Sequence, residues 1–404
     1  MESTLDYQLQ LKILKEINDM KTPYFIIHKD KLNENISEFQ NALDLLWPNS
    51  QMSYSVKTNS LPWLLQYLNK QGIFAEVVSD EEYLLAKRCG FIDENIIFNG
   101  PIKSEKLFAN SLDSGAIVNI DSKRELDYLL SLKNTYCDNI GVRINPDPSI
   151  FDSNDIEYGI EGFRFGFSDE TGELEKAIKI VNSKSNSIGI HLHCNSITRS
   201  KDVYVQLAKY ASNIIQKYDL NISYIDIGGG FFGGVPGKTS PLEYIKSIKS
   251  IFEKKIDINK TKLYIEPGSA IIGSTTDLVT SVIDTKNTIK STIVTTDGSR
   301  IHIDPLWKKK NYLYSIESES KDLSNKQIIC GYTCMDHDRI MNIMNMPKLE
   351  IGDKIIYHRV GAYTMTFGGM FIKYHPDVYL NNSGSLKLIR KSIQFNDYYD
   401  IHSV

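Results

Sequence analysis

The chain has 404 residues, 41% hydrophobic and 24% charged, with 46 Lys and Arg against 50 Asp and Glu for a net charge of −4. That balance supplies no field to gather nucleic acid or an anionic membrane as partner. The length predicts two or three domains, and no apolar run reaches the roughly 18–20 residues of a membrane span.

Residues 1–24 begin with a polar stretch that runs into an amphipathic helix, unlike a secretory signal. This segment is predicted to associate with a C-terminal domain. From 25 to 270 short apolar, β-branched runs recur, and strands are predicted near 52–57, 74–78, 95–98, 116–120, 139–145, 188–193, 223–227 and 262–266. Between them lie stretches such as SLPWLLQYLNKQG and SDEEYLLAKRCG, with helical spacing, Ser at the start and Gly at the end. This alternation fits a parallel (β/α)8 barrel; a doubly wound open sheet is the rival. From 271 to 404 the period changes. TDLVTSVIDT, KSTIVTTDGS and LEIGDKIIYHRVGAYTM are β-rich with turn signals between them, which predicts an all-β domain.

In a barrel, residues that carry chemistry sit at the C-terminal strand ends. Lys57, His193, Gly228-Gly229-Gly230 and Glu266 all fall there. A strand-end lysine commonly snorkels into water, but one partly desolvated makes a nucleophilic amine able to form a Schiff base. The triple glycine is a tight turn or a place where backbone N–H groups approach a phosphate. It lacks the downstream pattern of a dinucleotide or Walker loop. His191 and His193 alternate on one face, yet no metal-site motif accompanies them, so no metal is expected. His193 suits stacking on a flat ring, and Glu266 suits holding a ring nitrogen protonated. The five cysteines (Cys89, Cys137, Cys194, Cys330 and Cys334) form no CxxC pair, so no zinc ribbon or disulfide framework is indicated and a cytoplasmic setting is expected. Cys334 stands among Asp336, His337 and Asp338, odd company for a core thiol.

In order, YSVKTN, VVSDEE, VRINPD, HLHCNS, DIGGGF, EPGSA, DGS, CMDHD and GAYT span nearly the whole chain. Their ordered combination resembles the fold-type III pyridoxal-phosphate decarboxylases, the group of diaminopimelate, ornithine, arginine and carboxynorspermidine decarboxylases. The resemblance implies an alanine racemase-like TIM barrel with a C-terminal all-β domain, pyridoxal 5'-phosphate as cofactor, an amino-acid-like substrate, and a homodimer with shared active sites. It implies Lys57 as the Schiff-base lysine, Glu76 beside it where the family usually has Asp, Arg143 at the ring's edge and His193 stacked on the ring. It further implies Ser196, Gly228, Gly229, Gly230, Gly268 and Tyr363 at the phosphate and Glu266 at the pyridine nitrogen. Cys334 would handle the proton at the substrate α-carbon from the partner subunit. Asp297, Met335, Asp336 and Asp338 would face the substrate. An amino-acid racemase of the same fold is the alternative; it needs a tyrosine base where Cys334 stands.

Two positions depart from the family pattern. Ser269 stands where Arg often follows EPG, which removes a cation, although carboxynorspermidine decarboxylases lack it too. Met335 stands where an acid often reads the substrate's distal amine. A thioether cannot pair with an ammonium, and a desolvated unpaired charge costs several kcal/mol. The expected substrate is therefore a larger or modified amino-acid group, such as a carboxylated polyamine or a side arm of a natural product.

Overall fold

All eight predicted barrel strands are present in a computed structural model, which describes residues 20–132, 137, 139–157 and 161–403. They are β1 (Ser50–Ser55), β2 (Phe74–Val77), β3 (Ile96–Phe98), β4 (Ile117–Ile120), β5 (Ile140–Asn145), β6 (Ile188–Leu192), β7 (Ile222–Asp226) and β8 (Lys262–Ile265). Each pairs in parallel with the next, and β8 returns to β1 with Tyr264 opposite Gln51, closing the ring. The open-sheet rival is thereby excluded. The strands are nearly continuous apolar runs because both faces are buried, as parallel sheets require.

The barrel is a packed core. Tyr224 and Tyr264 pack with Ile97 and Ile117 inside it. A Cβ on Gly189 would lie 1.9 Å from the Tyr224 ring, so that strand position must be glycine for the tyrosine to fill the interior. Helices follow the strands with the expected caps. Ser79 accepts from the Glu82 N–H at 3.2 Å, and Ser240 and Glu243 form a reciprocal capping box ahead of Pro241–Phe252.

The chain forms two compact units, one of residues Asn35–Ile271 and one combining the residues up to Glu34 with Ile272 onward. The second holds a nine-stranded sheet. Tyr24–His28 lies inside that sheet, parallel to Asp377–Asn382 and antiparallel to Thr276–Asn287. This corrects the expected start of the barrel at residue 25. YFIIH is buried along almost its whole length, so by pattern it reads like a barrel strand; only its partners distinguish the two. Residues 1–19 of the expected N-terminal segment lie outside the described residues. Among the described residues no helix is long and apolar enough to cross a membrane.

Candidate active site

The strand β1 stops at Ser55, and Val56–Thr58 turn into one 3₁₀ turn. Val56 and Thr58 are buried while Lys57 keeps a 40% exposed side chain, so the turn sets the ammonium at the rim rather than in the barrel core. Register does the rest. Ser55 lies opposite Glu76 on β2, and the Glu76 carboxylate accepts from Ser55 Oγ at 2.5 Å and Lys57 Nζ at 2.6 Å. Lys103 is the competing buried lysine. Its Nζ donates to the Gly100 and Asn119 carbonyls at 2.5 and 3.0 Å and to Glu125 at 3.2 Å. Those bonds use all three ammonium donors and bury the side chain completely, whereas Lys57 sits at the rim with its side chain partly exposed.

A chain of hydrogen bonds runs from this lysine across the barrel. Asn99 Nδ2 donates to Glu76 at 3.2 Å and to Glu266 at 2.6 Å. Asn119 Nδ2 donates to Asn99 at 2.9 Å and to Asp226 at 3.2 Å, and Tyr224 donates its hydroxyl to Asn119 at 2.8 Å. Glu266 and Asp226 bring carboxylate oxygens within 4.8 Å of one another, and burial followed by their mutual repulsion pushes Glu266 well above the usual carboxylate range. Burial likewise raises Asp226 to about 7. The pair holds a proton that it would give up in water.

That proton has a consequence for stability. The ordinary aspartate value is about 4, so between about pH 4 and 7 the folded chain binds a proton that the unfolded chain does not. Stability therefore falls as pH rises through that window. Thermal melts of cofactor-free protein are expected to show this decline, and Asp226→Asn to flatten it. An unchanged slope in the variant would contradict the shared proton.

His191 Nε2 lies 3.8 Å from Glu266, and neither ring nitrogen has a hydrogen-bond partner among the described residues. Burial, then the Arg143 charge, depresses its pKa well below the usual value. His191, Asp226 and Glu266 each offer an atom within 4.8 Å of the others, a spacing compatible with a cation. The two carboxylates, however, already accept hydrogen bonds: Glu266 from Asn99, and Asp226 from Asn119 and the Gly228 N–H. His193 is half-buried, and burial with Arg143 and Lys57 lowers it to about 3, so its ring is neutral and free to stack. Arg143 is anchored by Asp121 at 2.9 Å and lies 4.7 Å over the Phe165 ring, while its buried Nε has no partner among the described residues.

The loop after β7 approaches bare backbone closely. Gly228 has φ +68°, and a Cβ there would meet the His193 Cβ at 2.8 Å. A Cβ on Gly229 would strike the Glu266 carbonyl at 2.4 Å. Nearby, Ser196 Oγ accepts from the Arg199 N–H at 2.9 Å, and Arg199 Nη1 donates to Ser269 Oγ at 3.0 Å. Gly268 packs against Thr58, whose Oγ1 a Cβ would meet at 2.1 Å.

These residues fit pyridoxal phosphate. An amine with a proton partner suits its aldehyde. A carboxylate beside an unpartnered histidine suits its ring nitrogen. The buried Arg143 Nε–H has no acceptor among the described residues, and side-chain-free backbone suits the phosphate.

The unit that contains the nine-stranded sheet carries the other expected residues. Cys334 is exposed, and so are Asp336 and His337. Met335 lines a cavity of about 380 Å³ with Ile301, Trp307, His337 and Phe371. Tyr363 is half-buried with φ +57°. Asp338 accepts from Ser299 Oγ, Thr333 Oγ1 and the Arg300 and Thr333 N–H groups, at 2.6–3.3 Å, and so braces its own loop. Asp297 is similarly committed to Thr22 Oγ1 and the Ser281 N–H at 2.5 and 2.8 Å. Asn99, Asn119, Asp121, Asp226 and Arg199 were not anticipated. Asn99 and Asp226 sit at strand ends, which is the signal that could have found them.

Residues 29–273 match the family model described as "Pyridoxal-dependent decarboxylase, pyridoxal binding domain". The diaminopimelate decarboxylase of Archaeoglobus fulgidus is 26% identical over 374 residues, 89% of this chain and 88% of that protein. The L-glutamyl-[BtrI acyl-carrier protein] decarboxylase of Niallia circulans is 26% identical over 409 residues, 95% of this chain and 94% of that protein. In fold, the chain is similar to the diaminopimelate decarboxylase of M. jannaschii, with TM-score 0.85 at 21% identity over 96% of this chain and 94% of that one. It is also similar to the arginine decarboxylase of Paramecium bursaria Chlorella virus, with TM-score 0.76 at 21% identity, covering 93% and 100%. With the family model spanning more than half its length, the chain belongs to the pyridoxal-dependent decarboxylases and is a carboxy-lyase that uses pyridoxal phosphate.

Proposed function

We propose that this decarboxylase removes the α-carboxylate of an amino-acid-like group on a larger molecule, rather than of a plain diamino acid, in the biosynthesis of a polyamine, a lysine-related compound or a specialised metabolite. The observation that carries this reading is the lining beside Met335: Ile301, Trp307 and Phe371 are apolar, and His337, the one polar residue there, brings no negative charge to meet an ammonium. One relative supports it, because its name specifies a glutamyl group on a carrier protein.

When bound, pyridoxal phosphate supplies the electron sink that accepts the pair left on the α-carbon as carbon dioxide departs. The chain's residues do the rest. Lys57 would hold the cofactor at its aldehyde, with Glu76 placed to exchange the amine's proton. Glu266, oriented by Asn99, would face the ring nitrogen and favour its protonated form. His193 would pack on the ring, and Arg143 would donate to it. Ser196, Gly228, Gly229, Gly230, Gly268 and Tyr363 would hold the phosphate. Cys334 would deliver the α-carbon proton in the site of a second copy, which makes the working form a homodimer, and the exposed Asp336 would stand outside the apolar lining.

The test is release of carbon dioxide from a substrate panel. A glutamyl thioester on a pantetheine arm is expected to exceed lysine, ornithine, arginine and diaminopimelate by roughly 100-fold or more in kcat/KM, as an unpaired desolvated charge of several kcal/mol dictates. Met335→Glu is expected to raise turnover of lysine and ornithine. A free diamino acid as best substrate would contradict the reading, and loss of optical rotation without gas release would favour racemisation.

A further inference from the structure

Ser269 opens the turn after β8 and brings no cation to the place where a phosphate would meet the Gly228–Gly230 loop. We propose that Arg199, from the loop after β6, supplies that cation, and that Ser269 serves to hold it. Several contacts fix Arg199. Its Nη1 donates to Ser269 Oγ at 3.0 Å, its N–H donates to Ser196 Oγ at 2.9 Å, and its carbonyl accepts from the Tyr244 hydroxyl at 2.6 Å. Its guanidinium lies 5.4 Å from the Phe232 ring, within cation–π reach. The backbone is held at φ +51°, a conformation that costs a non-glycine residue energy and persists only where its surroundings impose it.

The charge is also uncommitted. Among the described residues no carboxylate lies within 4.0 Å of Arg199. The nearby Asp155 carboxylate is taken by the hydroxyls of Thr198 and Ser200 instead. A guanidinium has five N–H donors in a planar fork, and one is spent on Ser269. The remainder suit the oxygens of a phosphate, where charge-assisted bonds are the strong ones. The hydroxyl and the cation have thus exchanged places: position 269 gives the hydroxyl, and the neighbouring loop gives the charge. An arginine at 269 would meet a like charge.

The test is titration of cofactor-free protein with pyridoxal phosphate and, separately, with pyridoxal, which lacks the phosphate, read by quenching of protein fluorescence. Arg199→Gln is expected to raise the Kd for pyridoxal phosphate about 30-fold and to leave that for pyridoxal within about 3-fold. Such a change, about 2 kcal/mol, is what a charged hydrogen bond contributes. Ser269→Arg alone is expected to weaken binding, and added to Arg199→Gln to restore it, a non-additivity expected only of residues that act on one group. Arg199→Lys, which keeps the charge, is expected to stay within about 10-fold of the parent. An unchanged Kd in Arg199→Gln, equal losses for both ligands, or a Lys variant as weak as the Gln variant would overturn the proposal. Since pyridoxal still reports the aldehyde site, loss of the phosphate contact is distinguishable from loss of the whole site.

Discussion

Replacing Lys57 with Ala is expected to lower turnover by about 10,000-fold or more, the scale on which an enzyme loses a covalent nucleophile. The geometry isolates this lysine. It lies 2.6 Å from Glu76, which can take its proton, and its side chain is partly exposed at the rim where a substrate amine can arrive. Lys103 cannot substitute, because Gly100, Asn119 and Glu125 engage its amine and its side chain is fully buried. Steady-state assay of carbon dioxide release checks the expectation. The fold should survive the substitution, since β1 ends before Lys57 and the turn is anchored by buried Val56 and Thr58. A variant with the parent's circular dichroism and full turnover would remove Lys57 from the mechanism.

Glu266→Gln is expected to reduce kcat by roughly 100- to 1,000-fold, the range for a positioned group that holds charge where the reaction develops it. Glutamine retains the shape of the side chain and can still accept from Asn99, which now lies 2.6 Å from the carboxylate. Its amide face would donate to the ring nitrogen, which favours the unprotonated ring and weakens the electron sink. The loss should fall on kcat, with cofactor affinity changed less than about tenfold. Equal losses in kcat and cofactor affinity would indicate a binding role only.

The barrel was legible because each strand is a short run buried on both faces and flanked by a capped amphipathic helix. The Tyr24–His28 strand shows the limit of that signal: period alone cannot say which sheet a fully buried run joins. Lys57, His193 and Glu266 stood out because ionisable residues are out of place at the end of an apolar strand. Asn99 and Asn119 did not. Asparagine is a turn residue by default, and only the closed ring shows one amide bridging Glu76 and Glu266 from between them. Arg199 sits in SITRSK, which reads as the approach to a helix N-terminus; its bond to Ser269 spans 70 residues of sequence. Asp338 shows the same limit, since nothing in CMDHD tells that this acid accepts from Ser299 and Thr333.

The claim that everything rests on is that the cofactor's aldehyde joins the Lys57 amine. Borohydride reduction of the holoenzyme, followed by protease digestion and mass mapping, tests it directly. A single phosphopyridoxyl group on the peptide that contains Lys57 is the predicted result. The same group on the Lys103 peptide, or on no lysine of the barrel, would contradict the account.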